Sequence, residues 1–574
     1  MFVKPNGLLF LLLLIFLAGG CDKEEDKIQK PPEGCIKLSD LETKHDYYLP
    51  FALENDNDSI ELAVMNNDTV DFSYGEFIVF KENGFFELII EYKNNQNEAD
   101  TFLFTTKTEE RENSEWGIRA WVPAAFKTVS LGSEDVQIFY PHRYVDSIKV
   151  PFIFYIKESG TIKDIYCKAF SPASESTFNI KRGVGSVNVS AVHISDMMSF
   201  MIGNRQMNIA IARFQEAEFK LADTIDSDIE IPANNLVRLH NNLNISAKGT
   251  LTVNEGALII IDEAVDINVS GPIIFSGTEE NPILVTCSRE NKFWGGFITR
   301  EAGGTIEAHY TIFCGSGYHD SNGYNWGHSG RQALFYTENS TLILDHCFML
   351  DHVGQIFYPQ YATLIFDDIL VQRAQTGGQI NYSDLTIRNS IFTDFPEESN
   401  IFLDLDNDAL YISASDAIIE NSTFMFAKDD GVDAGNTEGD NITFTNCRFE
   451  ACFHEGAALS SGNNAVRNHT FINCIFTNCG QGLEIGFSSP NHTVIADNCM
   501  FLNNGIGVRY GDNYTWSDVE GKMFIKNSQS LQNDKDVWNM VRKIWKPKLE
   551  NLEFENTVVS KFCPQYPELP VSSK

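Results

Sequence analysis

Beyond residue 226 the apolar positions fall in short runs, Leu251–Val253, Leu258–Ile261, Ile267–Val269 and Ile273–Phe275, with only small Gly/Asn gaps between them. That rhythm is too tight for hairpin sandwiches. It suits a solenoid whose coils each give short strands to parallel sheets. Upstream the texture differs. Alternating runs such as Phe85–Tyr92 and Val150–Tyr155 are separated by turn signals, Asn66-Asn67-Asp68 and Glu158-Ser159-Gly160 among them. Regularly spaced strands with such turns predict two small β-sandwich-like domains, over 36–130 and 131–226. The fold class expected is therefore all-β, with the solenoid over 227–556 and a tail over 557–574.

Within the solenoid a repeat becomes legible. Asn389-Ser390-Ile391-Phe392, Asn421-Ser422-Thr423-Phe424, Asn446-Cys447-Arg448-Phe449, Asn473-Cys474-Ile475-Phe476 and Asn498-Cys499-Met500-Phe501 recur at Asn-to-Asn steps of 32, 25, 27 and 25. An Asn at one coil position can hydrogen-bond its amide up and down a stack. The Phe is expected to stack in the core, and Cys447, Cys474 and Cys499 to fill it as free thiols. This pattern resembles the right-handed parallel β-helix of the pectin-lyase-like superfamily. The resemblance covers 227–556 and implies a rod of about thirteen coils, on the order of 60 Å long at ~4.8 Å per strand.

Composition changes the picture in one respect. The net charge is −36, and a surface that acidic repels a phosphate backbone, so no nucleic-acid partner is expected. An anionic polysaccharide would be repelled too, unless a bound cation or a local Arg reverses the sign.

The N-terminus carries an address. Lys4, the apolar run Leu8–Leu17 and Ala18-Gly19-Gly20 precede Cys21, and Asp22-Lys23-Glu24-Glu25-Asp26 follows it. The first 20 residues have the layout of a secretory signal. A cysteine at that point resembles the bacterial lipobox, and the acidic run resembles the export signal of Bacteroidota surface lipoproteins. The resemblance implies that Cys21 is acylated, that 21–35 is a tether, and that the protein sits lipid-anchored at the outer membrane, surface-exposed.

Coils aligned on Gly431, Gly456, Gly482 and Gly507 place Val432, Ala457, Leu483 and Val508 inward. Alternation then sets Asp433, Ala458, Glu484 and Arg509 outward, with Asp429 and His454 on the same side. Asp430 and Glu455 lie nearer the turn, and Asp408 joins them when Asp408–Tyr411 is aligned with Asp430–Asp433; Asp404 and Asp406 lie nearby. Acids stacked at strand spacing repel unless a cation or a shared proton relieves them. One outcome is Ca²⁺ held by Asp429, Asp430, Asp433 and Glu484; the other is raised pKa values serving acid–base chemistry.

The order Asp406 or Asp408, then Asp429-Asp430, His454 and, much later, Arg509 is similar to that of polygalacturonase-type glycoside hydrolases. That resemblance implies a general acid and a water-activating base among the Asp residues. Here Glu455 stands where a glycine is expected, and no Arg-x-Lys motif follows. Lyases of the same fold instead use Ca²⁺, to which the run Asp429–Asp433 is similar. The expected catalytic set is Asp408, Asp430, His454, Glu455 and Arg509, acting on extracellular polysaccharide as hydrolase or lyase. The competing expectation is a non-catalytic glycan-binding or adhesin scaffold.

Overall fold

The computed structural model describes residues 136–559 apart from 157–164, 172–173, 195–196, 216–217, 301–302, 319–330, 396–406, 436–439, 462–464, 512–517, 534 and 540–548. It also describes strands at 36–37, 52–53, 60–65, 68–69, 84–92, 99–106, 562–563 and 568–569. The signal segment, Cys21, Asp404 and Asp406 lie outside the described residues.

Three parallel sheets dominate. The first has 14 strands and the second and third have 13 each, with every third strand in chain order stacking on the last. The first runs from Thr224–Ile225 to Phe562–Cys563, the second from Ile229–Ile231 to Leu552–Glu555, and the third from Leu236–Leu239 to Val558–Val559. The chain is thus all-β, with a parallel β-helix in its C-terminal part.

The expected asparagine stack stands at the corner between the second and third sheets. Asn389, Asn421, Asn446, Asn473 and Asn498 all have φ between +51° and +55°, a left-handed conformation that Asn tolerates better than most side chains. Each amide donates to the Oδ1 of the previous coil's Asn: Asn421 at 3.3 Å, Asn446 and Asn473 at 3.1 Å, Asn498 at 2.7 Å. The aromatic stack runs alongside, Phe392 to Phe424 to Phe449 to Phe476 to Phe501, with centroids 4.6–5.5 Å apart. Fully burying one such ring contributes roughly 1.5–3 kcal/mol. Cys447, Cys474 and Cys499 are free and buried, each thiol donating to backbone carbonyls.

Glycines set the spacing at the corner that enters the first sheet. A Cβ on Gly431 would come within 2.6 Å of the Gly456 carbonyl oxygen, and one on Gly456 equally close to that of Gly482. Backbone on backbone at that range leaves no room for a side chain.

Strands between 136 and 213 form a four-stranded and a three-stranded sheet with a short third pair. Phe152 and Phe154 of one sheet meet Phe200 and Phe178 of the other at 4.9–5.1 Å, which makes a sandwich. The opposite face of the three-stranded sheet packs on the outside of the helix's third sheet. Phe139 lies 4.9 Å from Phe348, and one buried cluster joins both bodies through Leu258, Leu284, Ile312 and Leu350. Further upstream, five strands between 36 and 106 form a separate sheet.

Candidate functional site

The aligned acids converge at the corner where the third sheet passes into the first. The register pairs Tyr411 with Asp433, Asp433 with Ala458, Ala458 with Glu484 and Glu484 with Arg509. Glu455 pairs with Gln481. Glu455 and Gln481 sit two residues before inward-facing Ala457 and Leu483, so alternation turns them toward the corner's interior.

That column also ties coil to coil. Asp408 Oδ1 accepts the Asp430 backbone N–H at 3.2 Å, and Asp430 Oδ1 accepts that of Glu455 at 2.8 Å. Gln481 Nε2 donates to Glu455 Oε1 and, at 3.1 Å, to Glu484 Oε2. The Arg509 guanidinium closes the set, 2.7 Å from Glu484 Oε2 and donating to Gln481 Oε1 at 3.1 Å. Arg509, two coils beyond His454, is therefore joined to Glu455 through Gln481.

His454 is the hub. Its Nδ1 lies 2.7 Å from Glu455 Oε2, 3.2 Å from Asp429 Oδ1 and 3.4 Å from Asp430 Oδ1. Burial disfavours the charged imidazole, but the Glu455 charge and the three carboxylate contacts outweigh it, and the pKa stands well above the usual histidine value. Glu455 is likewise held well above the carboxylate range, by burial first and then by Asp430 and Glu484.

Solvent exposure corrects one expectation. The columns of Asp429 and His454 and of Glu484 and Arg509 were expected to face outward into water, yet all four are buried, Glu484 and Arg509 at 1% exposure. The physical reason is mutual cover, because Arg509 lies on Glu484 and Gln481 while Asp429, Asp430 and Glu455 crowd one imidazole nitrogen. Asp408, Asp430 and Glu455 are buried as well, and only Asp433 keeps partial exposure.

The four residues expected to hold Ca²⁺ do not form one ligand set. Among the described residues, the group whose ligand atoms lie close enough for a cation is Asp429, Asp430 and His454, all within 4.8 Å of one another. Glu484 is engaged by Arg509, and Asp433 is not among the close ligand atoms. Two carboxylates and an imidazole suit a borderline cation such as Zn²⁺ or Mn²⁺ better than Ca²⁺, which takes oxygen ligands.

Two features have no counterpart in the motifs read from the sequence. Ile298, Tyr336 and Tyr358 occupy an outward column of the first sheet, the tyrosine rings 5.8 Å apart, and Gln379, Tyr411 and Asp433 are in register with one another farther along that sheet. Inside the helix, Asp440, Arg467, His469 and His492 face inward on the second sheet and are buried. Arg467 pairs with Asp440, and His469 Nε2 lies 2.7 Å from the other Asp440 oxygen. Both features show as breaks in the alternation, an aromatic ring on an outward column and a charge on an inward one. His352, bonded to Ser316 Oγ at 2.7 Å and to the Phe313 carbonyl at 3.0 Å, is structural, its pKa lowered by burial to about 4.

The family described as right handed beta helix region matches residues 334–535, about a third of the chain and the part that carries the acidic corner. With the three parallel sheets, this makes the C-terminal part a right-handed parallel β-helix. No curated protein matches the chain.

Proposed function

We propose that this protein is a cell-surface lipoprotein, anchored through acylated Cys21 at the bacterial outer membrane, that cleaves extracellular polysaccharide at the acidic corner of its β-helix. One observation carries the reading. Glu455, a buried carboxyl raised well above its usual range, touches an imidazole that two further carboxylates also approach. A carboxyl that burial and neighbouring acids keep protonated above its usual range is what a general acid requires.

Glu455 is the proton donor in this scheme, with His454 holding its orientation. Asp433, partly exposed, is the carboxylate that meets water. Asp433 and Glu484 are in register with Ala458 between them, so their backbones stand about 9.5 Å apart at the usual strand spacing. Glu455 lies on the strand that pairs with that of Asp433, so proton donor and water-activating carboxylate stand on neighbouring coils, as two-carboxylate hydrolysis requires. A divalent cation at Asp429, Asp430 and His454 would neutralise the crowded acids; Ca²⁺, taking oxygen ligands, fits that donor set less well.

A non-catalytic glycan-binding scaffold is favoured by a different observation. Asp408 and Asp430 each spend a carboxylate oxygen on the next coil's backbone N–H, which is structural work. The experiment incubates the chain without its first 26 residues with neutral and uronic polysaccharides, with and without EDTA. Reducing ends and ultraviolet-absorbing unsaturated products are both followed. Hydrolysis is expected, and Glu455→Gln is expected to lower its rate about 10²–10⁴-fold with the unfolding midpoint retained. Silence across the panel, or full activity in that variant, overturns the assignment.

A further inference from the structure

The sandwich of residues 136–213 and the third sheet of the helix do not close completely. Beside their apolar contact they leave an open cleft of about 710 Å³. Ligand sites concentrate at domain junctions, and this volume falls among those that hold small organic ligands.

The charges in its wall cancel in pairs. Lys149 meets Glu290 at 2.6 Å and Lys181 meets Asp394 at 2.5 Å, both across the junction, and Arg373 clamps Asp351 at 2.6 and 2.8 Å. A strongly ionic ligand would have to break one of these pairs. The remaining polar wall includes neutral groups, the amides of Asn179, Asn188, Asn291 and Gln372, the hydroxyls of Thr177, Ser186 and Thr286 and the His352 imidazole, with Phe293 beside them. One acceptor waits for a partner. Asn188 Nδ2 donates to Asp351, but its Oδ1 is buried and accepts no hydrogen bond. A buried acceptor left unsatisfied costs about 1–3 kcal/mol, a cost relieved when the Asn188 amide turns toward a ligand hydroxyl in the cleft.

Amides, hydroxyls and apolar ring faces without net charge describe a site for a polyol with flat apolar patches. We propose that this cleft binds a short neutral oligosaccharide, making the sandwich and the outside of the helix a joint carbohydrate site. The proposal does not depend on the acidic corner being catalytic, since the two sites share no residue.

Isothermal titration of the full chain in detergent with cello-, malto-, xylo- and mannotetraose, and with tetragalacturonate, tests it. At least one neutral tetrasaccharide is expected to bind saturably. Thr177→Trp, which projects a large ring from an exposed strand position into the cleft, is expected to weaken binding more than tenfold. Asn188→Leu is expected to weaken it about threefold to tenfold, the effect of one lost hydrogen bond. Glu455→Gln leaves this binding intact while removing cleavage, so the two assignments fail separately. Absence of binding by every neutral sugar, stronger binding of tetragalacturonate, or undiminished binding in Thr177→Trp overturns the proposal.

Discussion

The β-helix buries two groups of charged side chains, and they are built on opposite terms. Inside the bore, Asp440 meets Arg467 and His469, and His492 completes the set between Phe487, 4.5 Å away edge-to-face, and Arg467. One acid faces one guanidinium, and the imidazoles supply the rest. At the corner, Asp408, Asp429, Asp430, Glu455 and Glu484 share a buried neighbourhood with His454, Arg509 and Lys428, so the acids exceed the cations by two even when all three bases are charged. Burial therefore does not separate structural charge from chemical charge. A group that can neutralise itself is a staple, whereas one that cannot must hold extra protons or a cation, and that is the condition for acid–base work.

The sharpest way to break this comparison is to unbalance the balanced group. Asp440→Asn leaves Arg467 buried without its counter-ion, and burial already lowers the Arg467 pKa despite Asp440. Breaking a buried pair on one side typically costs about 3–5 kcal/mol. Denaturant unfolding of the variant is expected to show a loss of that size. A loss below about 1 kcal/mol would mean that the interior group is not a staple.

A second test uses protons. Burial and the Arg467 charge lower His492 to about 4, against about 6.5 for an unfolded histidine. Between those values the unfolded chain binds the proton and the folded chain does not, so stability falls as pH drops from about 6.5 to 4. His352 behaves the same way. His492→Gln is expected to remove one proton's worth of this slope, roughly half of what the two histidines produce together. His454 has the opposite sign: its raised pKa gives stability that is complete below about pH 6.5 and lost as pH climbs through the folded value. Urea titrations at several pH values separate the two, and an unchanged acid slope in His492→Gln would show that His492 is charged in the folded state.

Much of this architecture is legible in the residues themselves. The Asn-x-x-Phe repeat sets the coil length and implies both the amide ladder and the phenylalanine stack, since each needs one residue per coil at one place. Alignment on Gly431, Gly456, Gly482 and Gly507 reproduces the strand register through Arg509, because those positions admit no Cβ. Burial at the corner is not legible. Alternation assigns Glu484 and Arg509 a face, but whether a side chain on that face meets water depends on what its neighbours cover, and Arg509 reaches back over Glu484 and Gln481. Asp440 stays hidden in an alignment that follows the first sheet, because Asp440, Ile442 and Phe444 form an inward series on the second. The docking of the sandwich on Phe348 and Leu350 leaves no local signal, as it joins segments some 200 residues apart.

The smallest predicted effect is also the most discriminating, because its smallness is the point. Asp429→Asn removes one carboxylate from the three that approach His454 Nδ1, and an Asn oxygen can still accept at the same place. Two terms then oppose each other. The imidazolium loses part of its support, worth about 1 kcal/mol for a single contact, while Asp430 and Glu455 lose a like-charged neighbour. The net change at neutral pH is expected to stay within about 1 kcal/mol, against several for Asp440→Asn in the same assay. Its signature lies on the alkaline side. With less negative charge around it His454 titrates at a lower pH, so the loss of stability on raising the pH begins earlier than in the wild type. NMR of the His454 ring follows that shift directly. A loss of several kcal/mol with no movement of the His454 titration would mean that the corner acids are balanced after all, and the argument from excess charge would fall with it.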